Sequence, residues 1–389
     1  MDNRNKKMDL EYLRKSSFIQ LEDEILDSIP TPYIIYNLSH LLGNLNQIIS
    51  IIEPDFFYIP IKANYSQKIH DFLAKHTDGA DVASLGEIDL ATSAKYKSLH
   101  LSTPFLTIDI LKKANLRECD SIDLYSLHQA NILISYFATN KKINNPSISL
   151  RLKVPYTSNN SETYLNNSRF GILYKSKEFD DVILLLKKNN IKIECIHIHI
   201  GEYNNFSVIS QIQKFLEKIT LDIPYLKRIN LGGGFTSLFG KYTDNEIRDT
   251  FHSFKNNILK VNSAIKFIIE PGMLTLMSSG TLAVSCIDSI NSKDIIVDIS
   301  AFNFFSWVKP RLLPSISAIN ENTEITIYGT TCYEEDIVSE KVYVSKIPKI
   351  GEKIFLAPAG AYINSINRNL HMFHITNELY IFEGVIYES

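Results

Sequence analysis

Two rhythms of apolar and polar positions alternate between residues 56 and 270. Short β-like apolar runs recur at Phe56–Ile61, Asp81–Ala83, Leu99–Ser102, Ser121–Tyr125, Ser147–Leu152, Cys195–His199, Arg228–Leu231 and Phe267–Ile269. Amphipathic stretches such as Gln67–His76, Glu87–Tyr96, His128–Phe137 and Phe179–Asn189 separate them, with apolar residues at three- and four-residue intervals. Alternating strand and helix imply parallel pairing, and eight such units predict a closed (β/α)8 barrel. An open doubly wound sheet is the structural alternative. After Pro271 the helical period fades, and Leu282–Ile287, Asp294–Ile299, Glu324–Tyr328, Val342–Ile347 and Lys353–Leu356 predict a second, all-β domain. Pro32–Tyr36 also reads as a strand. The expected organisation is therefore residues 1–37 joining the β-domain, 38–278 forming the barrel and 279–389 forming the C-terminal β-domain.

Composition narrows the function classes. The chain has 389 residues, 45% of them hydrophobic and 21% charged, as in an ordinary globular protein with room for two domains. A formal net charge of -3 gives no basic footprint, which argues against nucleic acid as a partner. The charged stretch 1–11 has no apolar core and predicts no signal peptide. No apolar run approaches the roughly 20 residues that span a bilayer, so no membrane partner is expected. Cys119, Cys195, Cys286 and Cys332 are scattered without a C-x-x-C pair. That predicts neither a zinc site nor a disulfide framework, and suits a soluble protein of the reducing cytoplasm.

The barrel makes a sharp expectation, because active-site groups of such barrels follow the strands. Lys62 follows the first run, Asp81 lies on the second, and Arg151 is near the end of the fifth. His199 closes the sixth, Gly232-Gly233-Gly234 the seventh, and Glu270-Pro271-Gly272 the eighth. Each has an ordinary reading beside the chemical one. A lysine after Phe56–Ile61 is either a solvated strand end or a partly desolvated, nucleophilic amine suited to a carbonyl-bearing cofactor. A glycine triplet is either a turn or a backbone cradle for an anion. His199 is either a satisfied core histidine or a flat ring that stacks on an aromatic cofactor. Glu270 is either a helix-capping carboxylate or a charge that keeps a pyridine nitrogen protonated.

The order of these motifs resembles the fold-type III decarboxylases that use pyridoxal 5'-phosphate (PLP). This is the family of ornithine, diaminopimelate, arginine and carboxynorspermidine decarboxylases. The matching stretches are Tyr58–Asn64, Asp81-Val82-Ala83-Ser84 with Glu87, Leu150-Arg151-Leu152, Ser168-Arg169-Phe170-Gly171, His197–Gly201, Leu231–Phe235, Glu270-Pro271-Gly272, Tyr328-Gly329-Thr330-Thr331-Cys332 with Asp336, and Ala359-Gly360-Ala361-Tyr362. The resemblance implies a barrel of the alanine racemase type, with Lys62 carrying PLP as a Schiff base and His199 packed on its ring. It also implies that Glu270 meets the pyridine nitrogen, that Asp81 and Arg151 belong to the cofactor site, and that Gly232, Gly233, Gly234 and Tyr362 hold phosphate. A homodimer with shared active sites follows by the same resemblance. In it, Cys332 would protonate the carbanion left by carbon dioxide, and Asp336 would bind a distal amine of the substrate.

Three positions depart from the pattern. Glu202 stands where serine usually binds phosphate, Met273 where arginine usually follows Glu-Pro-Gly, and Tyr333 where diaminopimelate enzymes carry glutamate. Together they argue against meso-diaminopimelate and for an unusual amino acid or amino-acid conjugate. Lys309 and Arg311 are candidates for a second acidic group, with a solvated basic loop as the ordinary reading. The resulting expectation is PLP-dependent Cα-decarboxylation of a small-molecule amino acid. A non-catalytic regulatory homologue and a racemase on the same fold are the alternatives.

Overall fold

The computed structural model describes residues 29–116, 120–140, 146–154, 168–313, 323–375 and 377–388. The stretch 1–11 and Cys119 lie outside the described residues. The chain divides into two compact units: Asn46–Lys62 with Gln67–Gly272, and the residues up to Leu45 with Ala63–Ser66 and those from Met273 on.

The strands in chain order begin with β1 (Tyr33–Asn37), β2 (Phe56–Pro60), β3 (Gly79–Val82), β4 (Leu99–Leu101), β5 (Ser121–Leu124) and β6 (Ser147–Lys153). Next come β7 (Ile172–Leu173), β8 (Ile193–Ile198), β9 (Arg228–Asn230) and β10 (Lys266–Ile269). In the first unit β2, β3, β4, β5, β6, β8, β9 and β10 pair in parallel, and the β10–β2 and β5–β6 pairings close the ring. The short β7 adds to β6 outside that closure. The expected eight-stranded barrel is therefore present. Its helices bury one stripe each, as helical period requires. In Asp244–Val261 the buried side chains are Ile247, Phe251, Phe254 and Ile258, spaced four, three and four apart. Inside the barrel, Tyr58, Cys195 and Ile268 pack as an apolar plug.

Local chemistry fixes where the elements stop. β2 ends at Pro60, and the chain turns into a 3-10 segment, Ile61–Ala63, which carries Lys62 out of the sheet. The helix starting at Gln67 ends at Leu73, earlier than its apolar period suggests. Its last turn tightens, with Lys75 N–H on Phe72 O (3.2 Å) and His76 N–H on Leu73 O (2.9 Å).

The other strands are β11 (Gly280–Ile290), β12 (Asp294–Val297), β13 (Arg311–Leu312), β14 (Thr323–Tyr328), β15 (Ile337–Val344), β16 (Lys353–Ala357), β17 (Asn377–Phe382) and β18 (Val385–Glu388). With β1 they form the mixed sheet of the second unit, in the order β15-β14-β12-β11-β1-β17-β18, with β16 on β11 and β13 on β16. β1 lies antiparallel to β11 and parallel to β17. Tyr33, Ala283 and Leu379 form a core cluster, and Tyr36 stacks on Tyr380 at 5.7 Å. The strand expected over Val342–Ile347 instead runs over Ile337–Val344. It is a terminal strand of the sheet, so Ser339, Glu340 and Lys341 interrupt the apolar signal without interrupting the ladder.

Candidate active site

The C-terminal ends of the barrel strands gather a ring of polar side chains. Lys62, with its side chain 49% exposed, places Nζ 3.7 Å from Oδ2 of buried Asp81. On the next strand His100 is fully buried, its Nδ1 2.5 Å from Ser121 Oγ and its Nε2 3.2 Å from Asp123 Oδ2. Asp123 Oδ2 also accepts from Ser102 Oγ (2.6 Å) and lies 2.6 Å from His197 Nδ1. Arg151 Nη1 stands 2.8 Å from His197 Nε2, and that same nitrogen is 3.6 Å from Glu270 Oε2. Asn230 closes the ring by donating from Nδ2 to Glu270 Oε1 at 2.5 Å. The spacing is set by the strands, whose alternate side chains all point inward.

Burial and charge act against each other here. Burial and the nearby Asp81 push Glu270 up to about 7, against the pull of His100, Asn230 and Lys62. Burial also raises Asp81, with the Lys62 charge opposing it. For Asp123 burial acts upward but loses to His100 and His197, which hold the carboxyl well below its usual range. Burial and the Arg151 guanidinium push His197 down to about 3, so its imidazole is neutral.

The glycine triplet is shaped by close approach. Gly232 and Gly234 have φ of +65 and +85. A Cβ on Gly234 would sit 1.7 Å from the Gly201 carbonyl oxygen, so only glycine fits. Gly232 N–H donates to Asn230 Oδ1 (2.9 Å) and Gly233 N–H to His199 Nδ1 (3.3 Å). Accepting that bond requires His199 Nδ1 to be unprotonated, which is the neutral ring a stacking role needs. Glu202 does not face the glycine amides. Its Oε2 accepts from Ser237 N–H at 3.0 Å, at the start of the helix Thr236–Lys241. The carboxylate there replaces a missing side-chain cap, since Phe235 supplies none.

The structure thus brings together Lys62, Asp81, Arg151, His199, Gly232, Gly233, Gly234 and Glu270 in one unit. Sequence reasoning missed four members: His100, Asp123, Asn230 and Thr236. Thr236 Oγ1 is buried with no hydrogen-bond partner among the described residues. Period-two alternation places His100 and Asp123 inside the barrel, and that signal was there to be read.

The remaining candidates lie in the second unit. Tyr362 is buried with φ +59, donates its N–H to Ala63 O (2.8 Å) and packs against Trp307 at 4.8 Å. Cys332 is exposed, and its N–H donates to His371 Nε2 at 3.2 Å. Tyr333 packs against Phe302 at 4.6 Å, and Lys309 is exposed. Asp336 is buried and accepts from Phe302 N–H (3.0 Å), Thr331 N–H (3.0 Å) and Thr331 Oγ1 (2.6 Å). Its carboxylate organises the loop that carries Cys332 and Tyr333.

Residues 42–276 match the family model described as the pyridoxal-dependent decarboxylase, pyridoxal binding domain. The diaminopimelate decarboxylase of Bacteroides thetaiotaomicron is 22% identical over 364 residues, covering 86% of this chain and 91% of that one. A Staphylococcus aureus 2-[(L-alanin-3-ylcarbamoyl)methyl]-2-hydroxybutanedioate decarboxylase is 24% identical over 377 residues, covering 89% and 93%. Among solved structures, the I148L mutant of diaminopimelate decarboxylase from Helicobacter pylori, complexed with L-lysine, superposes with a TM-score of 0.81 at 19% identity, covering 95% of each chain.

Proposed function

From the premise that the chain belongs to the pyridoxal-dependent decarboxylases, we propose that its substrate is an α-amino acid carrying a bulky acidic distal group. The chain is a PLP-dependent carboxy-lyase acting on a small amino-acid substrate. The observation that carries the site assignment is Lys62 Nζ, half-exposed beside buried Asp81 at the end of β2.

The residues present fit the cofactor. The glycine turn has no room for a side chain, and Asp81 Oδ1 and Thr236 Oγ1 are buried without a partner among the described residues. When bound, PLP supplies an electron sink for the carbanion that remains once carbon dioxide leaves. Lys62 is assigned as the amine that holds the aldehyde carbon and later releases the product. Glu270, fixed by Asn230, is assigned to hold a proton at the pyridine nitrogen, and His199 to bound the ring face. Gly232–Gly234 and Tyr362 are assigned to phosphate. Glu202 is turned onto Ser237 N–H and so leaves that anion site without direct repulsion.

The dimer and its shared site remain part of this proposal. Cys332 is assigned as the proton donor to Cα, contributed by a second copy. Asp336 keeps the Cys332 loop in shape through three accepted bonds, which leave one acceptor site of its carboxylate for a substrate amine. For the substrate, Met273 and Tyr333 remove two contacts that meso-diaminopimelate needs, and Lys309 and Arg311 offer positive charge for a distal carboxylate. The Staphylococcus relative, whose named substrate is an amino-acid conjugate with a hydroxybutanedioate group, supports that class. Residues 1–37 and 279–389 are assigned to the β-domain and 38–278 to cofactor binding. A reducing cytoplasm suits the free Cys195, Cys286 and Cys332, and no helix among the described residues is long and apolar enough to cross a membrane.

The test is carbon dioxide release from meso-diaminopimelate, ornithine, arginine, carboxylated polyamines and the conjugate named for the Staphylococcus relative. Release from the conjugate at least about tenfold faster than from meso-diaminopimelate is expected, a difference of ~1.4 kcal/mol in transition-state binding. A preference for meso-diaminopimelate contradicts the substrate assignment.

A further inference from the structure

His100 on β4 and His197 on β8, both buried, have different partners, and those partners set their charge. At His197, Nδ1 lies 2.6 Å from the Asp123 carboxylate, while Arg151 Nη1, which can only donate, approaches both ring nitrogens, at 2.8 Å from Nε2 and 3.1 Å from Nδ1. One nitrogen donates and the other accepts, so that ring is neutral. At His100, Nε2 faces Asp123 Oδ2 at 3.2 Å and Nδ1 faces the Ser121 hydroxyl, which can accept. Both nitrogens of His100 can therefore carry protons. Ligand atoms of Asp81, His100 and Glu270 also all lie within 4.8 Å of one another.

We propose that His100 and Asp123 form a buried imidazolium–carboxylate pair whose positive end favours the ionised forms of Asp81 and Glu270 against their burial, which makes His100 a positioning residue of the cofactor site. Without a cation between them, two carboxylates this close in a dry interior share one proton. Glu270 would then lose the charge that favours a pyridinium. The groups facing His100 from the surrounding elements are consistent with a fixed positive charge. They are Asp81 on β3, Ser121 and Asp123 on β5, neutral His197 on β8, Glu270 after β10, and the Tyr58 ring on β2 at 6.5 Å. Lys62 and Arg151 supply the other two positive charges of the ring. Burial pulls the His100 imidazole down, but Asp123, Glu270 and Asp81 raise it to about 9. The His100–Asp123–His197 grouping also has ligand spacing for a metal. The Arg151 guanidinium against His197 disfavours a divalent cation there, and a proton meets the same need.

The claim about charge stands without PLP; the claim about its purpose rests on the cofactor reading above. Apoprotein labelled with 15N-histidine should show one imidazole with both nitrogens protonated at pH 7.5. That signal should vanish in His100→Gln or shift in Ser121→Ala, which assigns it even if the first variant folds poorly. All buried imidazoles neutral at pH 7.5 would overturn the proposal. In folded His100→Gln, PLP affinity measured by titration should fall about tenfold. An unchanged affinity beside a confirmed imidazolium would reject the positioning role while leaving the decarboxylase assignment intact.

Discussion

At the scale of single residues, the site is a balance of charges held out of water. Between about pH 6.5 and 9 the folded apoprotein keeps a proton on His100 that the unfolded chain has released. Stability therefore falls as pH rises through that window, by roughly 3 kcal/mol for a shift of this size. Denaturant unfolding of the apoprotein at pH 6, 7, 8 and 9 should show that decline, and His100→Gln should flatten it. Gly234 carries the other residue-scale prediction. With φ +85 and the Gly201 carbonyl 1.7 Å from any added Cβ, Gly234→Ala should cost about 1–3 kcal/mol of stability and weaken PLP binding. Unfolding midpoints and PLP titration check both effects. Lys62, Glu270 and the glycine triplet were legible because each is short-range and directly follows an apolar run. His100 and Asp123 were not singled out, because their meaning comes from partners on other strands.

At the scale of elements, one device recurs at the opposite end of the barrel. Asp55, Asp78 and Asp120 each precede a strand and grip the neighbouring one from both sides. Their N–H groups donate to the carbonyls of Phe267 (2.9 Å), Phe57 (3.0 Å) and Leu99 (2.9 Å). Their carboxylates accept the N–H of those same residues at 2.8, 2.8 and 2.9 Å. Each aspartate so adds a rung to the parallel ladder. Asp78→Ala leaves the N–H of buried Phe57 unsatisfied and should cost about 1–3 kcal/mol in unfolding experiments, with PLP affinity unchanged. The helices after β3 and β5 open with Ser84-x-x-Glu87 and Ser126-x-x-Gln129, whose N3 side chains reach back to Ala83 N–H (2.7 Å) and Tyr125 N–H (2.9 Å). Such caps and the helical stripes are written in local sequence. The first half of edge strand β15, residues 337–341, and the β17–β18 hairpin escaped notice. The first is too polar, and the second turns on Glu383 and Gly384, both at positive φ, without an Asn-Gly or Asp-Gly signal.

At the scale of the molecule, the barrel and the mixed sheet were both expected from the change in periodicity at Pro271. β1 pairing with β11 and β17 brings the N-terminal strand into the second sheet, a long-range choice that Pro32–Tyr36 only hinted at. The proposed shared site is also a whole-molecule claim. Inactive Lys62→Ala mixed with inactive Cys332→Ala should regain about a quarter of wild-type activity, since random exchange leaves one intact site in half of the dimers. No recovery despite demonstrated exchange would contradict sharing. The central claim is that Lys62 is the amine that takes up the cofactor. Borohydride reduction of the PLP-loaded protein followed by peptide mapping tests it most directly. The pyridoxyl group is predicted on the peptide containing Lys62, with none on Lys62→Ala; a pyridoxyl group fixed at any other lysine would contradict the account.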